Sequence, residues 1–418
     1  MIFRQLVPVR RCVGVMLFAG VMAGCDVTNP GQILDADLNN AAAMPILVTG
    51  MAGDFEAGLR DIGWNNAVLI GDLSGTSAYL SRQRHWAGNP QPEDADEYNT
   101  VYRARWVAES GIERMKTVLG TAFGSSAYAA EAYMWSGFAN RLLGETMCAA
   151  VIDGGPLLPR MAYFARADSA FTNAIQIADA SGAAAATTRL AAYGGRASVR
   201  LVQGNWAGAL SDAGKVPTTF SFASRFSTVS AREQNQIFAE NRQRVNLSVK
   251  YTWFEHYEAT SNDARTLVGT DPKLTISADG VSPHLIQGKY NDLGADVVLT
   301  RGAEMRLIEA ENEIVNGTWQ TGVATINALR AAAAVTPVNP ATKAEAFDRL
   351  KEERAIVMWL ESRRGGDLFR WGGSPAADPI LKAMAASAPG NMPLAGRAIC
   401  SPFSQTLLAT NPNLGGNS

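Results

Sequence analysis

Residues 353–373 read ERAIVMWLESRRGGDLFRWGG. The apolar run AIVMWL is bracketed by Glu353 and Arg354 before it and by Glu361, Arg363 and Arg364 after it. At about 100° per residue on a helical wheel, Arg354 and Glu361 fall on one line, among Leu350, Val357, Phe347 and Met358. Opposite charges on an apolar stripe suit acid–base chemistry, a ligand clamp or a structural lock. Two helical turns separate the pair, too far for direct contact, so each charge pairs with a neighbouring element. Asp367, Arg364 and Arg370 then fix the turn after the helix. Buried charge costs desolvation unless it is fully paired, so such groups specify geometry more than they add stability. The structural lock is the reading these residues favour.

Other chemistry finds little support. HExxH, CxxC and GxSxG are absent. GALSDAGKV (Gly208 to Val216) misses a phosphate loop: five residues separate its glycines, and Val216 stands where a magnesium-binding Ser or Thr belongs. DADLNN (Asp35 to Asn40) opens like a calcium loop, but Asn40 takes the place of Gly, and Ile46 that of the bidentate Glu. In WFEHYE, His256 sits between two acids, a pattern that a solvated histidine explains as well as acid–base work does. Only three histidines occur, His85, His256 and His284, which disfavours a multi-histidine metal site. No pair of carboxylates announces a glycoside hydrolase. We expect no catalytic residues, no metal and no cofactor.

The best binding candidate is IGDLSGTSAYLSRQRHWAGN, Ile70 to Asn89. It brings Asp72, Tyr79, Arg82, Arg84, His85 and Trp86 together. Aromatic faces stack on the C–H face of a sugar, and planar charged or amide groups bond its hydroxyls. A solvated loop with one packed tryptophan is the competing reading.

These candidates sit in a 418-residue chain of 47% hydrophobic and 18% charged residues, with formal charge −2. That describes a folded protein and gives no sign of nucleic-acid binding. Arg4, Arg10 and Arg11 precede a short apolar run, Val13 to Val21, and then Met22-Ala23-Gly24-Cys25. The order matches an export signal ending in a lipobox, so residues 1–24 are removed and Cys25 carries lipid. The mature charge is then −5, because three arginines leave with the signal. After export Cys148 and Cys400 remain; they either pair in an oxidising compartment or stay as buried thiols.

Helix-period patterns cover roughly 40–60, 94–119, 126–147, 161–181, 184–203, 206–214, 297–316, 319–334 and 343–364. Asn39 or Asn40 caps the first of these. Most are paired by short turns, as antiparallel hairpins are. ASVRLVQGNWAGAL (Ala197 to Leu210) and AENEIVNGTWQTGV (Ala310 to Val323) share one pattern. Gly204 and Gly317 end a helix in a left-handed turn, and Trp206 and Trp319 start the next with a large packing surface. The pattern resembles degenerate tetratricopeptide repeats, which stack into a right-handed superhelical scaffold. The expected fold is mainly α. The scaffold covers about 37–215 and 296–365. A loop-rich insertion with short strands covers about 216–295, and an extended tail about 366–418. All lie in one domain, 25–418.

Several segments resemble one family. DVTNPGQILDADLNN, LTRGAEMRLIEAENEIVNGTW, the opening stretch with Glu353, Arg354, Glu361, Arg364, Asp367, Leu368, Arg370 and Trp371, and the tail CSPFSQTLLATNPNLGGN are similar to segments of the SusD/RagB family. The chain departs from that pattern at Val357 and Ser362. The resemblance implies a lipid-anchored, non-enzymatic nutrient-binding protein on the outer face of the outer membrane. It implies capture of an oligosaccharide or other nutrient and delivery to a SusC-like TonB-dependent receptor. Loop aromatics would touch the ligand, which supports Trp86 and Tyr79 and adds Trp253. The competing class is a tetratricopeptide-like scaffold that binds proteins.

Overall fold

The computed structural model describes residues 35–387 and 392–414. The export signal, 1–24, and Cys25 lie outside the described residues. No helix among the described residues is long and apolar enough to cross a membrane.

The first half is a succession of hairpins: α1 (Met44–Leu69), α2 (Leu80–Trp86), α3 (Asn99–Leu119), α4 (Ala127–Thr146), α5 (Met161–Ser181), α6 (Ala186–Val202) and α7 (Trp206–Ala213). Asn40 caps the 3₁₀ turn that leads into α1, its side chain accepting from the Ala43 amide at 3.1 Å. Helix α1 continues past the expected end near residue 60 because Ile62, Trp64, Val68 and Leu69 are buried. At Gly58 a Cβ would stand 3.2 Å from Val101, so a small residue lets α1 and α3 pack closely. From α3 to α7 each helix packs against the next.

A short helix α8 (Gln236–Phe238) runs into a π turn, Ala239–Gln243, and is followed by α9 (Trp253–Ser261). The later hairpins are α10 (Gly302–Asn316), α11 (Trp319–Ala332) and α12 (Lys343–Val357), followed by α13 (Arg364–Arg370), α14 (Pro379–Ser387) and α15 (Gln405–Thr410). Helix α10 lies against α6 and α7, which joins the two helical blocks. The six strands among the described residues are short: β1 (Ala149–Ala150) pairs with β2 (Leu158–Pro159), β3 (Ser221–Ser224) with β6 (Val297–Arg301), and β4 (Val268–Gly269) with β5 (Ile286–Gln287), all antiparallel. The mainly α, hairpin-built fold with short strands in the insertion is the one the sequence predicts.

Five local expectations are corrected. The tail expected to be extended from about 366 carries most of α13 and all of α14 and α15. The segment 297–316 is a strand and then a helix, because the β-branched run Val297, Val298, Thr300 pairs with β3. The corner is Gly302, whose amide donates to Phe220 O at 2.8 Å and where a Cβ would stand 2.0 Å from the Pro217 carbonyl oxygen. The segment 94–119 starts as 3₁₀ turns, Pro92–Asp94 and Asp96–Tyr98, before α3 begins. Gly204 ends α6 with φ +75°, as expected, but Gly317 has φ −118° and no left-handed turn. Last, 343–364 is not one helix. It ends at Val357, and the chain turns through Leu360 (φ 60°) and Ser362 (φ 57°) before α13. Arg354 and Glu361 therefore do not share a continuous helical face.

Trp206 and Trp319 are half-buried and pack against the apolar clusters of their own hairpins. Cys148 and Cys400 are joined, with Cα atoms 5.0 Å apart across 252 residues of sequence. Cys148 N donates to Ser401 O at 3.0 Å and Ser401 N to Thr146 O at 2.8 Å, so the tail is stitched to the end of α4.

Candidate functional site

The break after Val357 has a physical cause far away in sequence. Asp72 follows α1 and is buried. Its carboxylate accepts the Leu360 amide at 3.0 Å, and its carbonyl accepts the Trp359 indole N–H at 3.2 Å. The Tyr290 hydroxyl donates to Leu360 O at 3.0 Å, and the Lys289 ammonium donates to Trp359 O. These partners satisfy backbone groups that a helix would have used itself. Burial, opposed first by Arg364, pushes the Asp72 carboxyl up to about 6. Asp72 was expected among surface ligand groups; its burial and its backbone partners remove it from that surface.

Around this turn the charges of 353–371 pair with separate elements. Arg354 grips Asp367 through two bonds of 2.7 and 2.9 Å, and Arg370 Nε reaches the same carboxylate at 2.9 Å. Burial opposes the Asp367 charge, but Arg354 and Arg370 hold it below the usual carboxylate range. Arg370 also binds Glu311 of α10 at 2.6 Å, and the Trp371 indole donates to Glu311 at 3.0 Å. Arg363 spans Glu145 of α4 at 3.0 Å and Glu304 of α10 at 2.7 Å. Arg364 pairs with Asp378 and donates to Ile70 O. Glu361 takes Lys289 at 2.6 Å and Arg301. Glu353, Arg354, Glu361, Arg363, Arg364 and Asp367 are each 5% exposed or less. A substrate cannot reach groups so placed. Their partners lie on α1, α4, α10, the insertion and the tail, so the arrangement can hold these elements in one geometry.

The stretch 70–89 folds as buried loop and then α2. Tyr79 is the N-cap residue before α2 and is 61% exposed. The Arg82 guanidinium lies 4.1 Å over Trp64 and 5.0 Å over Tyr79, so it is held between two rings. Its Nε and Nη2 bond Glu240 Oε2 at 3.3 and 3.2 Å. Glu240 is fully buried and also accepts from Arg244 at 2.7 Å, Gln236 at 2.8 Å and Asn246 at 3.0 Å. Burial works against the Glu240 charge, yet Arg82 and its other donors hold the carboxyl below its ordinary value. The result is a rigid post that carries an open tyrosine ring at its tip.

The other sequence candidates take other places. Arg84 pairs with Glu93 at 2.6 Å and Asp94 at 3.2 Å. His85 is buried, with Nδ1 2.7 Å from Ser81 O, and burial pushes its pKa down. Trp86 is half-buried against the core, and its carbonyl accepts from Arg397 at 2.6 Å. Trp253 is half-buried and stacks on Tyr257 of its own helix, with centroids 4.7 Å apart. Sequence reasoning passed over Trp106, which is 56% exposed beside a cavity of about 280 Å³ shared with Asn99, Arg103 and Asp153. Its signal was available: Val101, Ala104, Ala108, Ile112 and Met115 form the buried stripe of α3, and Trp106 falls off it. Among the described residues no cluster of metal-binding side chains occurs.

This helical, hairpin-built architecture defines a class. The SusD family model matches residues 227–398, which include most of the insertion, α10 to α13 and the charged turn. A SusD superfamily protein from Bacteroides fragilis superposes with TM-score 0.66 at 14% identity, over 90% of this chain and 99% of that one. One from Bacteroides thetaiotaomicron gives TM-score 0.63 at 15% identity, over 90% and 98%. A SusD-like carbohydrate binding protein from Bacteroides vulgatus gives 0.61 at 14%, over 79% and 83%. No curated protein matches the chain. Family match and fold agree, and the resemblance to the SusD/RagB family is borne out.

Proposed function

We propose that the protein is a non-enzymatic carbohydrate-binding lipoprotein of the outer membrane. It captures an oligosaccharide at the cell surface and hands it to a SusC-like TonB-dependent transporter. The observation that carries the reading is the Tyr79 ring, 61% exposed and braced by Arg82 between itself and Trp64. A pre-positioned aromatic face loses little freedom when a sugar stacks on it. The carbohydrate-binding relative from Bacteroides vulgatus supports the ligand class. Lipid on Cys25, after removal of residues 1–24, would provide the anchor. The Cys148–Cys400 bond fits an oxidising, extracytoplasmic setting. Of the sequence candidates, Tyr79 and Arg82 form the binding surface, and Trp86 serves as packing beneath it.

The test is extraction of native membranes in mild detergent, followed by affinity purification of this chain. The reading expects a large outer-membrane barrel to co-purify. Recovery of the protein alone from the periplasmic fraction would contradict it.

A second reading, a protein-interaction scaffold, draws on the groove of about 420 Å³ between α3, α4 and α5, lined in part by Glu109, Tyr133 and Arg166. It expects no affinity for any glycan, and nutrient uptake indifferent to Tyr79→Ala.

A further inference from the structure

A cavity of about 550 Å³ opens between α10, α11 and the insertion, remote in sequence from Tyr79. Its lining includes the apolar Ala303, Leu329 and Val357. Three cations, Arg265, Lys289 and Arg301, line it as well.

The lining cations divide into two groups. Arg265 binds Asp263 and Glu353, and Arg330 shares Glu353 at 3.0 Å, so those four groups are balanced. Lys289 and Arg301 converge on one atom, Glu361 Oε1. The other carboxylate acting on Lys289 is the buried Asp72. Arg301 Nε is buried and has no hydrogen-bond partner among the described residues. Burial, and then the neighbouring Arg301, press the Lys289 ammonium well below its usual range. A further carboxylate beside these two cations would favour their charged forms. Helix α10 starts beside Arg301 with no side-chain cap, and the Glu304 of its first turn is taken by Arg363.

We propose that this cavity binds a small organic carboxylate. The carboxylate is received by Lys289 and Arg301, and its apolar body lies on Ala303, Leu329 and Val357. Two cations that share one carboxylate oxygen can take a second carboxylate. An apolar floor favours a ligand with a hydrocarbon or ring body over a fully hydrated inorganic ion.

Benzoate and its neutral analogue benzamide are suitable probes, titrated into the lipid-free mature chain by calorimetry or ligand-observed NMR. Charge-assisted bonds make benzoate the tighter ligand by on the order of tenfold. Thr219 and Ala332 are exposed at the rim, so Thr219→Glu and Ala332→Phe test the cavity without disturbing the core. Thr219→Glu supplies a competing carboxylate and Ala332→Phe fills space; both are expected to abolish benzoate binding at unchanged Tm. Tyr79→Ala is expected to leave benzoate binding intact, which separates this proposal from the glycan reading. Equal binding of benzoate and benzamide, absence of benzoate binding, or a Thr219→Glu protein that binds benzoate like wild type would overturn it.

Discussion

The Asp72 carboxylate accepts the Leu360 amide at 3.0 Å across 288 residues of sequence. This bond joins the end of α1 to the turn that replaces the last part of the expected helix 343–364. Asp72→Ala leaves a buried N–H unpaired and is expected to cost about 1–3 kcal/mol, while Asp72→Asn keeps an acceptor and costs less. Chemical denaturation measures both. A stable Asp72→Ala protein that has lost ligand binding would make Asp72 a ligand group after all.

The same carboxylate sets a pH dependence. Its folded pKa, about 6, lies above the ordinary 3.8, so between these values the folded state binds the proton more tightly than the unfolded state does. Asp72 therefore contributes stability at pH 4 that is lost as the pH rises towards 6. Subtracting the stability profile of Asp72→Asn from that of wild type isolates the effect. The difference is expected to move against wild type across this window, and a flat difference would contradict the assignment.

Glu361→Ala leaves Lys289 and Arg301 side by side without their shared counter-charge. Removing one member of a buried charge set costs about 3–5 kcal/mol, so lowered folding yield and Tm are expected. Glu361→Ala with wild-type stability but lost ligand binding would contradict the structural role.

The Cys148–Cys400 bond closes a loop with a sequence separation of 252 residues. In the chain-entropy model such a link stabilises by up to about 5 kcal/mol. Cys148→Ser is expected to lower Tm and to expose the tail near Cys400 to proteolysis. Equal Tm values with and without reductant would show that the bond adds nothing in solution.

Much of the fold is legible because helix-period patterning is local. Gly204 followed by Trp206 marks a hairpin that the structure contains. The break after Val357 is not legible, since AIVMWL is a continuous apolar run. What stops the helix is a carboxylate at Asp72, a hydroxyl at Tyr290 and an ammonium at Lys289, none of them nearby in sequence. Strand β6 was hidden for a similar reason: Val297 to Arg301 extends a helical pattern, and only its pairing with β3 makes it a strand. At the candidate site the residue types in 70–89 pointed to a binding surface. Which of them face outward depends on Glu240, more than 150 residues away, which draws Arg82 down onto Trp64 and leaves Tyr79 on top.

The most direct test of the account is a broad glycan array probed with wild-type protein and with Tyr79→Ala. Tyr79 is exposed, so its removal is expected to change stability by no more than about 0.5 kcal/mol. The account predicts that wild type binds a defined set of oligosaccharides and that Tyr79→Ala loses on the order of tenfold in affinity for them, as expected for one aromatic stacking contact, with Tm unchanged. A wild-type protein that binds no glycan, or a Tyr79→Ala protein that binds the same glycans equally well, would contradict it.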